Sequence, residues 1–565
     1  MAEVATGILA ELRAAGVGRG DLVGLAVGVR GTGIACPGRS WLLPADTDLA
    51  AVDAELRPRW VEWSGSTAAA LCARGVRLAT CWDIAAAHRL LFGRWRADPG
   101  WVWAHLRGLQ LDELPSADLF GMSSDGDPQD PVGPDGYLRP EWVSGDWADH
   151  PAQWAELALT VAALQQARLD QLTDRPVAVA TARSESAAEL LCAELAADGL
   201  PVDRTVAEQV LAGFIGPRPR NDAEAAELRS VRDLEVLRHL PAGVSVDLRS
   251  PGQVRSVLAR LGIDVPDTRA WRLRDLADKH PVVAALLEWR KAERIATTYG
   301  YGWLDAHLDA DGRLRGSWTG SDGAAGRMTA SDGLHNMPAV LRQAVIAAPG
   351  HVFVRADLGQ IEPRVLAAVS GDQALAAATS ADDLYLPVAS QLSLDRPTAK
   401  VAVIAAMYGQ TTGHGAQALR RLNAAYPVAM AYLDTADRAG QAGRDLRTYG
   451  GRLISMAGLS EGIPSSSRSA AYGRYARNAL IQGAAAELFK VWAVTVRARA
   501  AASGARIVLC LHDELLVHCA AADSGAVAGI VDSCLQEAAA RWAPRSGVRF
   551  IASTTVISCW ADAKG

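Results

Sequence analysis

The chain has 565 residues, too many for one ordinary domain, so roughly two to four domains are expected. Half of the residues are hydrophobic and 21% are charged, a balance that excludes a disordered chain. The formal net charge of −6 neither supports nor excludes a polyanionic partner, because phosphate contacts need a locally basic surface and not a basic whole.

The N-terminus, MAEVATGILAELRAAG, lacks a basic start and has acids inside its apolar stretch, so no secretory signal is expected. No run of about 18 uncharged apolar residues is visible, so no membrane span is expected. From about 20 to 180, short apolar runs such as LVGLAVGV (22–29) alternate with helical stretches such as WAELALTVAALQQARL (154–169), the pattern of an α/β domain. The Gly-, Pro-, Asp- and Ser-rich stretch 115–150 predicts a long surface loop. From about 185 to 300 helical patterns dominate, broken at 216–222 and 264–271. The C-terminal part mixes both types. HVFVRADL (351–358) reads as a strand ending in an acid, and RIVLCLHDELLVHC (506–519) as two strands flanking an acidic turn. Long helical stretches lie between them, at 396–408 and 469–497. The eight cysteines (36, 72, 81, 192, 510, 519, 534, 559) contain no C-x-x-C pair, which leaves zinc and redox motifs unsupported.

Asp357 ends one apolar strand, and Asp513 with Glu514 sits between two others. Acids at the ends of buried strands are costly unless paired or metal-bound. Two such strands side by side could hold two Mg²⁺ ions about 4 Å apart for phosphoryl transfer. Arg396, Lys400, Ile404 and Tyr408 recur every four residues and share one helix face. Such a face could grip a triphosphate and cover a sugar and base. The plainer reading of each motif alone is a turn acid and a solvated basic helix end.

Together the motifs are specific. D-L-G-Q-I-E-P-R (357–364), R-P-T-A-K-V-A-V-I-A-A-M-Y-G (396–409) and L-H-D-E (511–514) resemble the three main motifs of family A DNA polymerases. G-R-M-T-A-S-D-G-L-H-N-M-P (326–338) and R-Y-A-R-N-A-L-I-Q-G (474–483) resemble secondary motifs of that family, in the same order. V-D-L-R-S-P-G-Q-V (245–253) and L-L-E-W-R-K-A-E-R-I-A-T-T-Y (286–299) resemble its thumb.

The resemblance implies that Asp357 and Asp513 hold two Mg²⁺ ions, with Mn²⁺ as an alternative. Arg396 and Lys400 would contact the incoming triphosphate, Lys400 also protonating pyrophosphate. Gln360, Glu362, Ile404, Tyr408 and His512 would complete the nucleotide site, Glu362 against the sugar 2′ position and Tyr408 over the nascent base pair. His512 and Glu514 would frame the primer end. Arg327, Arg474 and Gln482 would touch the minor-groove side of the primer–template terminus. Asn336 would contact the template strand, and Arg290, Lys291 and Arg294 are either duplex-backbone contacts or a solvated helix face. Ile404 departs from the family's aromatic residue, which places sugar selectivity and nucleotide affinity in question.

The implied fold class is an α/β N-terminal exonuclease-like (RNase H-like) domain at 1–180, followed by an α+β right-hand polymerase. Its thumb would span 185–320, its palm 321–370 and 500–565, and its fingers 371–499. The exonuclease chemistry is missing: LVGLAVGV carries no D-x-E, and Trp154 and Ala158 stand where a Y-x-x-x-D pair is needed. C-W-D-I-A-A-A-H-R-L-L (81–91) resembles a helix near that domain's second motif, with Asp83 expected to be structural. A domain without proofreading is therefore expected, and no 5′-nuclease domain. The implied protein is a cytoplasmic, nucleoid-associated monomer that takes primer–template DNA and deoxynucleoside triphosphates, with no membrane partner. A repair or gap-filling role is favoured by analogy. Two rivals stay open: a catalytically impaired DNA-binding protein that keeps the fold, and an enzyme with residual 3′–5′ exonuclease.

Overall fold

The computed structural model describes residues 2–93, 95–115, 127, 130–144, 149–409, 415–457 and 466–563. They form two compact units. The first comprises Met1–Asp198, Ser317–Ala330 and Gly350–Val556; the second comprises Gly199–Gly316, Ser331–Pro349 and Ile557–Gly565.

The N-terminal part of the first unit is built on β1 (Leu22–Gly28), β2 (Gly31–Cys36), β3 (Arg39–Leu43), β4 (Arg59–Glu62) and β5 (Cys81–Asp83). Their order is β3-β2-β1-β4-β5. β1, β2 and β3 pair antiparallel, while β4 and β5 run parallel to β1. Helix α1 (Ile84–Phe92) follows β5 directly, started by the Asp83 carboxylate accepting from Ala86 N at 2.8 Å and ended by Gly93 in the left-handed region. Helix α2 (Pro151–Asp170) lies against β1 and β2 so closely that only glycine fits beneath it. A Cβ at Gly24 would stand 2.0 Å from Ala155 O, and one at Gly33 would stand 1.9 Å from Pro151 O.

Of the stretch expected to be a loop, 116–126, 128–129 and 145–148 lie outside the described residues. What is described there includes a short helix, Pro140–Ser144, and a bridge between Val132 and Leu138.

Helix α3 (Ala178–Asp198) displaces the boundary expected at 180–185. Its residues Ala188, Leu191, Cys192 and Leu195 belong to the same buried cluster as Val354, Ala356, Leu488 and Trp492, so it is a core element of the first unit. The segments 331–349 and 557–565, expected in the palm, group instead with the second unit.

The second sheet has the order β9-β10-β8-β11, from β8 (His351–Leu358), β9 (Arg506–Leu511), β10 (Glu514–Ala520) and β11 (Ala552–Ile557). A hairpin of β6 (Trp318–Asp322) and β7 (Arg327–Ala330) stands apart from it. In β8 the alternation is strict: Val354, Ala356 and Leu358 enter the core, so Phe353, Arg355 and Asp357 face the other way. The covering helices are α6 (Ser466–Ala500) and α7 (Ser524–Trp542), through Leu488, Trp492 and Val496 and through Val531, Leu535 and Ala538. By length and composition α6 could cross a membrane, but 89% of its apolar window is buried in the protein, as in a core helix. Helices α4 (Ile361–Ser370) and α5 (Arg396–Tyr408) belong to a second cluster that includes Leu366, Leu384, Val403 and Leu433.

The second unit is mostly helical, with Arg204–Ile215, Asp222–Leu237 and Pro281–Thr298 among its helices. Its own core includes Val236, Leu258, Leu273, Val283 and Leu286.

Candidate active site

The antiparallel ladder between β8 and β10 sets Asp357 opposite Glu514. The β9–β10 hairpin turns at His512 and Asp513, with His512 at φ 56°, a left-handed conformation that His tolerates better than most residues. Leu358 N donates to Asp513 O at 3.0 Å, which ties this turn to the end of β8. Three carboxylates, those of Asp357, Asp513 and Glu514, are thereby gathered at one end of the sheet. Burial pushes the Asp513 carboxyl up to about 6, with the negative charges of Asp357, Glu514 and Glu362 adding to the effect.

Arg355 answers part of this charge. Its Nε donates to Glu514 Oε1 at 2.7 Å and its Nη2 to Asp357 Oδ2 at 2.8 Å. Among the described residues no group of three His, Cys, Asp or Glu side chains is placed to hold a metal ion unaided. The acids nonetheless suit Mg²⁺, a hard cation usually bound through one or two carboxylates plus waters and substrate phosphates. A carboxyl raised by burial, as that of Asp513 is, is the kind of ligand that such an ion would ionise.

Helix α5 begins with Asp395 capping Thr398 N at 2.8 Å, carries Pro397 in its first turn and ends at Gly409 with φ 67°. Arg396 and Lys400 are exposed; Ile404 and Tyr408 are half-buried and pack on the cluster beneath. Arg396 forms an ion pair with Asp383 and lies over the ring of Tyr385. Tyr408 joins the helix to two other predicted residues. Its Oη donates to Glu362 Oε2 at 3.5 Å and accepts from Gln482 Nε2 at 3.4 Å. Burial raises the Glu362 carboxyl above its ordinary range, against the opposing effects of the Tyr408 hydrogen bond and the Arg327 charge. Arg474 lies over Gly409, where a Cβ would meet its Cγ at 2.8 Å.

Gln360 has a scaffold position. At φ 48° it precedes α4, and its Oε1 accepts from Leu384 N and Arg364 Nη2, each at 3.2 Å. Arg364 is fully buried and donates to the carbonyls of Gly359, Thr379, Ala381, Asp382 and Arg549. Burial, aided by the Arg549 charge, pulls its guanidinium down to about 10. Asn336 belongs to the second unit, where its carbonyl accepts from Arg294 Nη2 at 3.2 Å. There Arg290 is held by Thr268, and Lys291 stands over Phe214.

Several residues escaped the sequence reading. Arg355 and Arg364 are one; each lies in or beside a recognised motif and is a cation at a buried position, which was the available signal. A second set is the buried trio of Lys490 and Arg452 on Glu185, with Lys490 also donating to Gly320 O and Gly326 O. The third is Glu62, in the N-terminal sheet. Trp154 and Ala158 are fully buried, as are Glu62 and Asp83, which pair in register at the ends of β4 and β5. Burial and the Glu189 charge push Asp83 up to about 8, and burial raises Glu62 strongly.

The acids at the sheet end and the basic residues Arg396 and Lys400 of α5 belong to one compact unit. Residues 224–561 match the model of DNA polymerase family A, and the chain belongs to that family. DNA polymerase I of Chloroflexus aurantiacus is 31% identical over 329 residues, 51% of this chain and 35% of that protein. The thermostable DNA polymerase I of Thermus aquaticus is 28% identical over 351 residues, 55% of this chain and 42% of that protein. The chain thus matches well under half the length of these relatives. Among solved structures, the POL domain of Pol1 from M. smegmatis, in complex with DNA primer-template and dNTP, superposes with a TM-score of 0.70. That likeness covers 99% of this chain and 98% of the other at 22% identity, and it extends the shared fold over the N-terminal part.

Proposed function

We propose that the chain is a template-directed DNA polymerase that adds deoxynucleotides to a primer 3′-hydroxyl, without proofreading. The observation that carries this reading is the gathering of Asp357, Asp513 and Glu514 by the β8–β10 ladder and its hairpin. In this reading the palm is the β8–β11 sheet with α6 and α7, the fingers contain α5, and the thumb lies in the second unit.

Asp357 and Asp513 would hold two divalent cations, which when bound activate the attacking hydroxyl and stabilise the leaving pyrophosphate. Arg396 and Lys400 would bind the triphosphate of the incoming nucleotide; Arg396 would exchange Asp383 for phosphate, and Lys400 would supply a proton to the departing pyrophosphate. Glu362, pinned by Tyr408, would stand where a ribose 2′-hydroxyl needs room, while Gln482 keeps the Tyr408 ring in place. Gln360 and Arg364 would act from behind, holding the loop around residues 379–384 to the start of α4. Arg327 and Arg474 would read the minor-groove side of the duplex, and Asn336 the template. In the second unit a groove of about 880 Å³ lined by Arg249, Arg255, Arg269, Arg290 and Arg294 suits a phosphate backbone.

The strand order β3-β2-β1-β4-β5, with its antiparallel first three strands, supports an RNase H-like, exonuclease-derived N-terminal domain. Its chemistry is gone in this reading. β1 has no acid, and α2 is pressed onto the sheet at Gly24 and Gly33.

The test is extension of an end-labelled primer on a template with Mg²⁺ and the four deoxynucleotides. Elongation that is abolished by Asp357→Asn, with no shortening in either protein, supports the whole reading. Shortening without elongation, or elongation that survives Asp357→Asn, would overturn it.

A further inference from the structure

Arg355 has no part in the reading above, yet it is a cation in direct contact with two of the three acids, Asp357 and Glu514. Its position follows from strand alternation. Two residues before Asp357 on β8, it shares the face of the sheet that carries Asp357, while Val354 and Ala356 fill the core. In register it stands opposite Leu516, so its side chain reaches along the sheet to the next same-face pair, Asp357 and Glu514. One guanidinium there bridges both, at 2.8 and 2.7 Å. The side chains of Arg355 and Glu514 are 11% and 8% exposed, so water screens little of that pair, while Asp357 at 36% is open enough to meet an arriving ion and is partly screened.

We propose that Arg355 is a positioning residue for the metal-binding acids, a fixed cation that holds the Asp357 carboxylate in one orientation and sets how tightly the palm takes a divalent ion. The inference rests on the polymerase reading. Two consequences follow from electrostatics and geometry. A positive charge within contact of a ligand carboxylate repels an arriving Mg²⁺ and competes for its ligand, so the site binds metal less tightly than the acids alone would. In exchange, a carboxylate held by a forked donor is already oriented when metal and nucleotide arrive. Lysine could keep the charge but, with a single ammonium, could not hold both acids in a fixed fork.

The experiment compares the full-length chain with Arg355→Gln, Arg355→Lys and Asp357→Asn. Mn²⁺ binding is followed by water-proton relaxation on the complex with a dideoxy-terminated primer–template, and Mg²⁺-dependent extension is measured alongside thermal unfolding. Arg355→Gln is expected to bind Mn²⁺ roughly tenfold more tightly, by the Coulomb repulsion removed, and to lose about ten- to a hundredfold in kcat through lost orientation. Arg355→Lys should bind Mn²⁺ like the parent and still lose kcat. A lower unfolding temperature with Mn²⁺ affinity and kcat both unchanged would overturn the proposal and leave a structural ion pair. Mn²⁺ binding that Asp357→Asn does not weaken would overturn the metal site itself, and the proposal with it.

Discussion

Glu62 and Asp83 stand directly opposite each other on adjacent parallel strands, and neither side chain reaches solvent. Burial disfavours the charged form of both: with the Glu189 charge it pushes Asp83 up to about 8, and with the Asp83 charge it raises Glu62 strongly.

A pH dependence of stability results. In the unfolded chain both acids ionise near pH 4, whereas in the folded chain Asp83 keeps its proton to about pH 8 and Glu62 is raised in the same direction. Between these values the native state binds more protons than the unfolded one, so stability falls as pH rises. Asp83→Asn keeps the cap on Ala86 N without the titration. It should flatten the decline in melting temperature between pH 5 and pH 8.5, and at the upper end it should melt higher than the parent. Thermal melts at several pH values check this; identical slopes would contradict it.

The Lys490–Glu185–Arg452 trio predicts the opposite response to a single change. Lys490→Met would remove a cation that is fully buried, leaving Glu185 short of charge and the carbonyls of Gly320 and Gly326 without a donor. A loss of roughly 3–5 kcal/mol is expected, measured by chemical denaturation.

Glu362→Ala should relax sugar selectivity. In the proposed polymerase reading the side chain takes the space of a ribose 2′-hydroxyl, so without it the preference for deoxynucleotides over ribonucleotides should fall by on the order of 10–100-fold in kcat/KM. Single-nucleotide insertion assays with both substrates measure it.

Ile404→Phe should tighten nucleotide binding. The position is half-buried on α5 between Lys400 and Tyr408, and a ring stacked on a sugar there contributes about 1 kcal/mol. The KM for deoxynucleotides should drop by roughly fivefold, and an unchanged KM would show that the helix face does not meet the sugar.

Gly24→Ala should be strongly destabilising, because the new Cβ would fall 2.0 Å from a backbone oxygen of α2. A melting temperature within a degree of the parent would show that the helix can lift from the sheet.

Much of the site was readable in the sequence because its residues lie at fixed spacings inside single elements. The face Arg396–Lys400–Ile404–Tyr408 is a property of one helix, and the acids of the β9–β10 hairpin are sequential neighbours. What escaped depends on which elements meet. Nothing local to α3 says that Leu191 and Leu195 will share a core with Trp492, so the boundary was drawn through a core helix. Glu62 attracted no notice because it lies far in sequence from Asp83, and only parallel pairing of β4 with β5 makes them neighbours. Gln360 looked like a nucleotide contact from its motif; its hydrogen bonds to Leu384 and Arg364 became visible only with the long-range fold.

The path of helix α3 bears on how such a chain can change over generations. Its N-terminal half is part of the wall around the first sheet, and its C-terminal half is part of the core under the second sheet, the proposed palm. Whatever catalytic residues that sheet retains or lacks, selection on the palm alone preserves it. A lineage could discard every acid of a nuclease there, one substitution at a time, at little cost in stability. It could not shorten the gene through the same region without opening the palm to water. A domain can outlive its chemistry in this way when a neighbour depends on its shape.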